Sequence, residues 1–174
     1  MEEQFCHLIR NGNLLEIQEF YNNNPSVDIS ADDDEYDECA FCYACHYGHI
    51  EVAKWLLEIN QDINRNINNG RAFRRACAEG HLEVAKWLLE LKPDIDISAD
   101  NETTFRFVCC HGHLDVAKWL LEIKPDIDIS AENNSAFFGA CRYKNEDVAL
   151  WLSTLNPSFI VVIKEGTILD YYVI

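Results

Sequence analysis

Gly80-His81-Leu82-Glu83-Val84-Ala85-Lys86-Trp87-Leu88-Leu89-Glu90-Leu91-Lys92-Pro93-Asp94-Ile95-Asp96-Ile97-Ser98-Ala99-Asp100 recurs at 112–132 with 18 of 21 residues identical. The offset is 32 residues, and it runs on in both directions. Trp55, Trp87, Trp119 and Trp151 keep it, as do Phe41, Phe73, Phe105 and Phe137, and Cys45, Cys77, Cys109 and Cys141. A weaker copy surrounds Gly12, which lies 36 residues before Gly48; the four extra residues fall in the acidic stretch 32–38. Self-similarity at such a period is the mark of a stacked array of one supersecondary unit.

Each copy reads as two short helices and an extended excursion. A first helix over about 72–79 places Phe73, Ala76 and Cys77 at helical spacing, and Gly80 ends it through a left-handed residue. A second helix over about 82–91 carries a broad apolar stripe of Leu82, Ala85, Leu88 and Leu89, widened by Val84 and Trp87. Lys86 with Glu90, and Lys118 with Glu122, are spaced to pair on its polar side. Pro93 stops the helix, and Asp94-Ile95-Asp96-Ile97-Ser98 alternates polar and apolar as an extended arm does. One such helical pair cannot bury its own apolar faces, so neighbours must stack.

Gly48-His49-Ile50-Glu51-Val52-Ala53-Lys54-Trp55-Leu56-Leu57, with its copies from Gly80 and Gly112, resembles the ankyrin-repeat family, and Asp94-Ile95-Asp96 resembles the segment that follows there. The resemblance implies an all-α solenoid of helix-turn-helix pairs with extended arms. It covers one domain over 1–174, with repeats at approximately 1–34, 35–66, 67–98, 99–130 and 131–158. The period of 32 departs from the family's usual 33, and the Thr-Pro-Leu-His start of the first helix is replaced. Of the replacements, Thr103 and Ser135 keep a hydroxyl able to cap a helix. This divergent style is similar to ankyrin proteins of large DNA viruses. The first repeat carries polar Glu2, Glu3, Gln4 and Asn11 as an outer cap, and the last has Lys144-Asn145 in place of Gly-His. The tail 159–174 reads as a β-hairpin turning at Gly166, expected to cover the end of the stack or, alternatively, to pair with another chain.

Charge narrows the function. Thirty Asp and Glu against 14 Lys and Arg give −16, which disfavours nucleic acid and anionic membranes and favours a basic protein partner. The start lacks the basic flank and apolar core of a signal peptide, the longest apolar run, 159–163, is too short to span a bilayer, and eight cysteines are expected as free thiols in the cytoplasm. Equivalent cysteines on stacked helices sit too far apart to bridge.

Comparison between repeats separates scaffold from surface. Residues 70–79 match 102–111 at 3 of 10 positions, whereas the second helices are near-copies. The variable positions are those that line the concave groove of ankyrin proteins, so the resemblance implies a partner-binding surface of Tyr36, Glu38, Tyr43, His46, Tyr47, Arg71, Arg75, Glu79, Glu102, Phe107, His111, Asn134, Arg142 and Tyr143. Tyr and Arg are the types enriched at binding hot spots. Cys39, Cys42, Cys45 and His46 could be weighed as zinc ligands, but Cys45 belongs to the repeated core set, so no metal is expected. Cys110 and His111 are adjacent and do not face each other on a helix, the periodic His49, His81 and His113 are structural, and 32–38 lacks the spacing of a calcium loop. No catalytic motif and no cofactor site emerges. The expectation is a non-enzymatic protein-interaction module, monomeric, engaging a host protein if viral; the alternative is a structural protein self-associating through its C-terminal strands.

Overall fold

The repeating phenylalanine and cysteine become the inner face of a first helix, and the Val-Ala-x-x-x-Leu pattern becomes that of a second. The computed structural model describes residues 2–29, 40–60 and 70–174. Ten helices occur among them: α1 Glu2–Asn11, α2 Leu14–Asn23, α3 Ala40–His46, α4 Ile50–Ile59, α5 Arg71–Ala78, α6 Leu82–Leu91, α7 Ala99–His111, α8 Leu114–Ile123, α9 Ala131–Arg142 and α10 Glu146–Leu155. Strands β1 Phe159–Lys164 and β2 Thr167–Val173 follow. The chain forms two compact units, Met1–Ile95 and Asp96–Ile174, each described by itself.

In the first unit α1 pairs with α2, α3 with α4 and α5 with α6, while α1, α3 and α5 also lie side by side. Phe5, Phe41 and Phe73 are fully buried along that row, beside Ile9, Cys45 and Cys77. In the second unit α7 pairs with α8, α9 with α10, and α7 packs along α9, burying Phe105, Phe137, Cys109 and Cys141. Leu56, Leu88, Leu120 and Leu152 close the pairs from the second helices. Each fully buried side chain of this size stabilises by about 1.5–3 kcal/mol relative to exposure. The tryptophans reach back to the preceding repeat: Trp55 meets Tyr21 edge-on at 5.6 Å, Trp87 meets Phe41 at 6.3 Å and Trp151 meets Phe105 at 6.4 Å.

Each turn between paired helices is closed by two backbone bonds around a left-handed residue. At Gly80 the amide of His81 donates to Ala76 O at 2.8 Å and that of Gly80 to Cys77 O at 3.1 Å. Such a pattern satisfies the carbonyls a helix end leaves open. The side chain that follows locks the repeats together. His49 Nε2 lies 2.9 Å from the Arg10 carbonyl, so that nitrogen carries the proton, and its ring covers Gly12. Asn145 Nδ2 donates to the Cys110 carbonyl at 2.7 Å and its amide covers Gly112.

Three expectations are corrected. The connecting arm, expected as an extended excursion, is built of turns: Ile127 N donates to Lys124 O, Ala131 N to Asp128 O, and Asp128 Oδ1 accepts from Ser130 N at 2.9 Å. Its aspartates turn the backbone on itself, although Ile95 and Ile127 are buried as the alternation implied. The Thr103 hydroxyl is not a cap; it donates to Asp100 O at 2.6 Å and accepts from Arg106 Nη2 at 2.9 Å. The first helices instead start from left-handed backbone, at Gly70 (φ 64°) before α5, and through Asp100-Asn101-Glu102 and Glu132-Asn133-Asn134 in α7 and α9. Asn and Asp tolerate that region better than other non-glycine residues, which suits Asp100, Asn101, Asn133 and Asn134 to it; Glu102 and Glu132 adopt it as well. Finally, Lys86 pairs with Glu83 at 3.0 Å and Lys54 with Glu51 at 2.8 Å. These acids precede their lysines and sit in the first turn, where the helix dipole favours them.

The hairpin turns at Glu165-Gly166, both left-handed, as a two-residue turn requires. Its strands are antiparallel, with an irregularity at Val162/Ile163. Phe159 stacks on Phe137 at 4.5 Å and Tyr171 meets Phe138 at 6.1 Å, so the hairpin covers the apolar side of α9 and α10.

Candidate functional site

The variable residues of the first helices fall into two groups by depth. Tyr47, Arg75, Phe107, His111, Arg142 and Tyr143 are exposed, Tyr143 by 65% and Phe107 by 51%. His46, Arg71, Glu79 and Asn134 are half-buried. Tyr43 and Glu102 are not surface groups, at 4% and 8% exposure. Tyr36 and Glu38 lie outside the described residues, as do the acidic stretch 32–38 and Cys39.

The two buried positions have physical explanations. Tyr43 lies under the Arg10 guanidinium, 4.9 Å from its ring centre, and its hydroxyl accepts from Arg10 Nη2 at 3.3 Å. Glu102 holds a left-handed backbone that turns its side chain inward, where Oε1 accepts from Asp128 N at 3.4 Å. It ties the start of α7 to the arm that leaves the same repeat.

In the unit Met1–Ile95 the structure brings Tyr43, His46 and Tyr47 together. The Tyr47 ring meets His46 edge-on at 4.6 Å and stacks with Tyr43 at 6.4 Å. Arg75 stands on α5 at the repeat position of Tyr43, next to α3. In the unit Asp96–Ile174, Phe107 and His111 lie 6.2 Å apart on α7. Arg106 spans two repeats there, donating to Thr103 Oγ1 and, at 3.4 Å, to Ser135 Oγ. Arg10 was overlooked although its phase marks it: it occupies the position of His46 and Arg142, two residues before the turn.

Burial pushes the Cys141 thiol up to about 12 and raises Cys77 and Cys109 well above the ordinary range, which removes the thiolate that nucleophilic chemistry needs. Cys110 is also raised by burial, against a smaller opposing effect of Arg106. Among the described residues, no three His, Cys, Asp or Glu side chains converge as metal ligands, and no helix is long and apolar enough to cross a membrane.

Recurring helical hairpins, with His49 seated on the Gly12 turn, His81 on the Gly48 turn and Asn145 on the Gly112 turn, define a repeat protein of the helix-turn-helix class. A family profile described as ankyrin repeats in three copies matches residues 5–101 and 73–160. The chain belongs to the ankyrin-repeat family. A search of curated proteins finds no match. Ankyrin repeats are generally non-catalytic modules for protein–protein interaction, so a protein partner is the class of ligand the family implies.

Proposed function

We propose that this chain is a non-catalytic module that holds a protein partner on the concave face formed by its first helices and arms. The observation that carries the reading is a contrast in the middle repeats: the second helices α4, α6 and α8 are near-copies, while the first helices vary at exposed positions such as Tyr47, Arg75, Phe107 and His111, with Arg142 and Tyr143 following at the end of α9. A scaffold under packing constraint repeats itself, and a surface shaped for one partner does not. Free thiols and the acidic balance support a reducing, cytoplasmic setting and a partner whose overall surface is basic. The likeness to ankyrin proteins of large DNA viruses supports a host protein as that partner. Replacing Tyr47, Arg75 and Tyr143 together by alanine should abolish capture of the partner from host cytosol; undiminished capture would sink the placement.

A second reading, self-association through the C-terminal strands, is favoured by exposed Val162, Leu169, Tyr172 and Ile174 on the hairpin. Light scattering over a concentration series decides it, since a mass independent of concentration removes it.

A further inference from the structure

Residues 148–163 hold no Asp, Glu, Lys or Arg, the longest uncharged run in a chain where acids outnumber cations 30 to 14. The run begins where α10 departs from the other second helices: Lys118 and Glu122 of α8 become Leu150 and Thr154. It ends in β1, and the hairpin then sorts its side chains by face. Phe159 and Ile168 are buried and Tyr171 meets Phe138, so their face is the one turned to the helices. Alternation, with the register Ile160 to Tyr172 and Val162 to Asp170, puts Ile160, Val162, Lys164, Tyr172 and Asp170 on the opposite face. All of these but Ile160 are exposed, Tyr172 by 47% and Val162 by 41%. The charges of this face are one lysine and one aspartate, with Glu165 beyond them in the turn. Among the described residues neither Lys164 nor Asp170 has an ion-pair partner, and Asp170 Oδ1 accepts from the Tyr171 amide at 2.9 Å.

We infer that this outer face of the hairpin is the contact between two copies of the chain related by a two-fold axis. Ile160, Val162 and Tyr172 lie at its centre, and Lys164 of each copy stands beside Asp170 of the other. The inference rests on the self-association reading and names the face, the number of copies and the register. A two-fold contact sets one surface against itself, so that surface must carry both signs of charge in balance. The second helices fail this condition, since α4, α6 and α8 each hold two acids to one lysine. The hairpin face meets it, with one cation and one anion around an apolar centre. A basic partner would find more opposite charge on those helices than here, which favours a second copy as the occupant. The net charge of −16 acts at longer range, and at about 0.15 M salt it is screened beyond about 8 Å, leaving the touching faces to decide.

Sedimentation of the full chain over a concentration series tests this. The mass should rise from one chain to two and stop there, because a two-fold contact closes on itself. Tyr172→Lys should weaken the dimer roughly tenfold or more. Lys164→Asp and Asp170→Lys should each weaken it, and the chain carrying both should recover, which also shows that the variants fold. Asp170→Lys is the sharper of the two, because it lowers the net charge and would strengthen any association governed by overall repulsion. A dimer indifferent to both charge changes, or growth beyond two copies, overturns the face and register while leaving self-association through strand edges standing. A mass that never changes with concentration removes self-association and this contact together.

Discussion

Lys144 stands where Gly12, Gly48, Gly80 and Gly112 turn the chain out of a first helix, and it keeps their left-handed backbone with φ 61°. Glycine is required at 112 because Asn145 rests on it; a Cβ there would come 2.6 Å from Asn145 Oδ1. At 144 the chain goes on into α10 and a hairpin instead of another repeat, and the side chain is exposed. Gly112→Ala should therefore lower stability in urea unfolding by about 1–3 kcal/mol, from backbone strain and the clash together. Lys144→Gly should be neutral or stabilise by up to about 1 kcal/mol, because only the strain is relieved. Asn145 performs for Cys110 what His49 performs for Arg10. Asn145→Ala should cost about 1 kcal/mol by leaving that carbonyl unpaired, whereas Asn145→His should retain much of it. The change from Gly-His to Lys-Asn was visible in the sequence, but its meaning was not, since the carbonyl concerned lies 35 residues away.

At the scale of elements, the hairpin and the tight meeting of α7 with α9 carry the predictions. Phe159 is buried and stacked on Phe137, so Phe159→Ala should destabilise the unit Asp96–Ile174 by about 3–5 kcal/mol, read as a fall in urea midpoint and faster amide exchange in α9 and α10. An unchanged midpoint would show that the hairpin does not act as a cover. Gly139 in α9 leaves room for the Cys110 side chain, whose Sγ a Cβ would strike. Gly139→Ala should then cost about 1–3 kcal/mol despite alanine's better helix propensity, and Gly139→Ala with Cys110→Ala should recover most of it. The helices and the hairpin were legible from periodicity and turn residues. The turns of the arm were not: alternation pointed to an extended excursion, and local Asp-to-backbone bonds turn the chain instead.

For the whole molecule the decisive quantities are net charge and buried thiols. A charge of −16 means self-repulsion, so moderate salt should raise the unfolding midpoint, an effect that depends on ionic strength rather than on the salt chosen. Cys141 is raised from the ordinary thiol value of 9.0 to about 12 by burial. Below pH 9 the thiol is neutral in both folded and unfolded chains and its contribution is fully present. Between about 9 and 12 the unfolded chain releases the proton that the folded chain keeps, so stability falls as pH rises. Cys141→Ala should flatten the alkaline part of the stability–pH curve; an equally steep curve would show that this thiol is not the source.

The sequence by itself determined the repeat, its phase, the pairing of helices, the buried Phe, Cys and Leu sets and the hairpin, because these depend on residue periodicity, which survives in one dimension. Tertiary structure alone decided that Tyr43 and Glu102 face inward, that Thr103 serves Arg106 instead of capping its helix, and that Asn145 reaches Cys110. Those outcomes turn on which backbone group or cation comes within hydrogen-bond reach, in the same repeat for Glu102 and Thr103 and in the neighbouring one for Tyr43 and Asn145, which spacing along the chain does not encode.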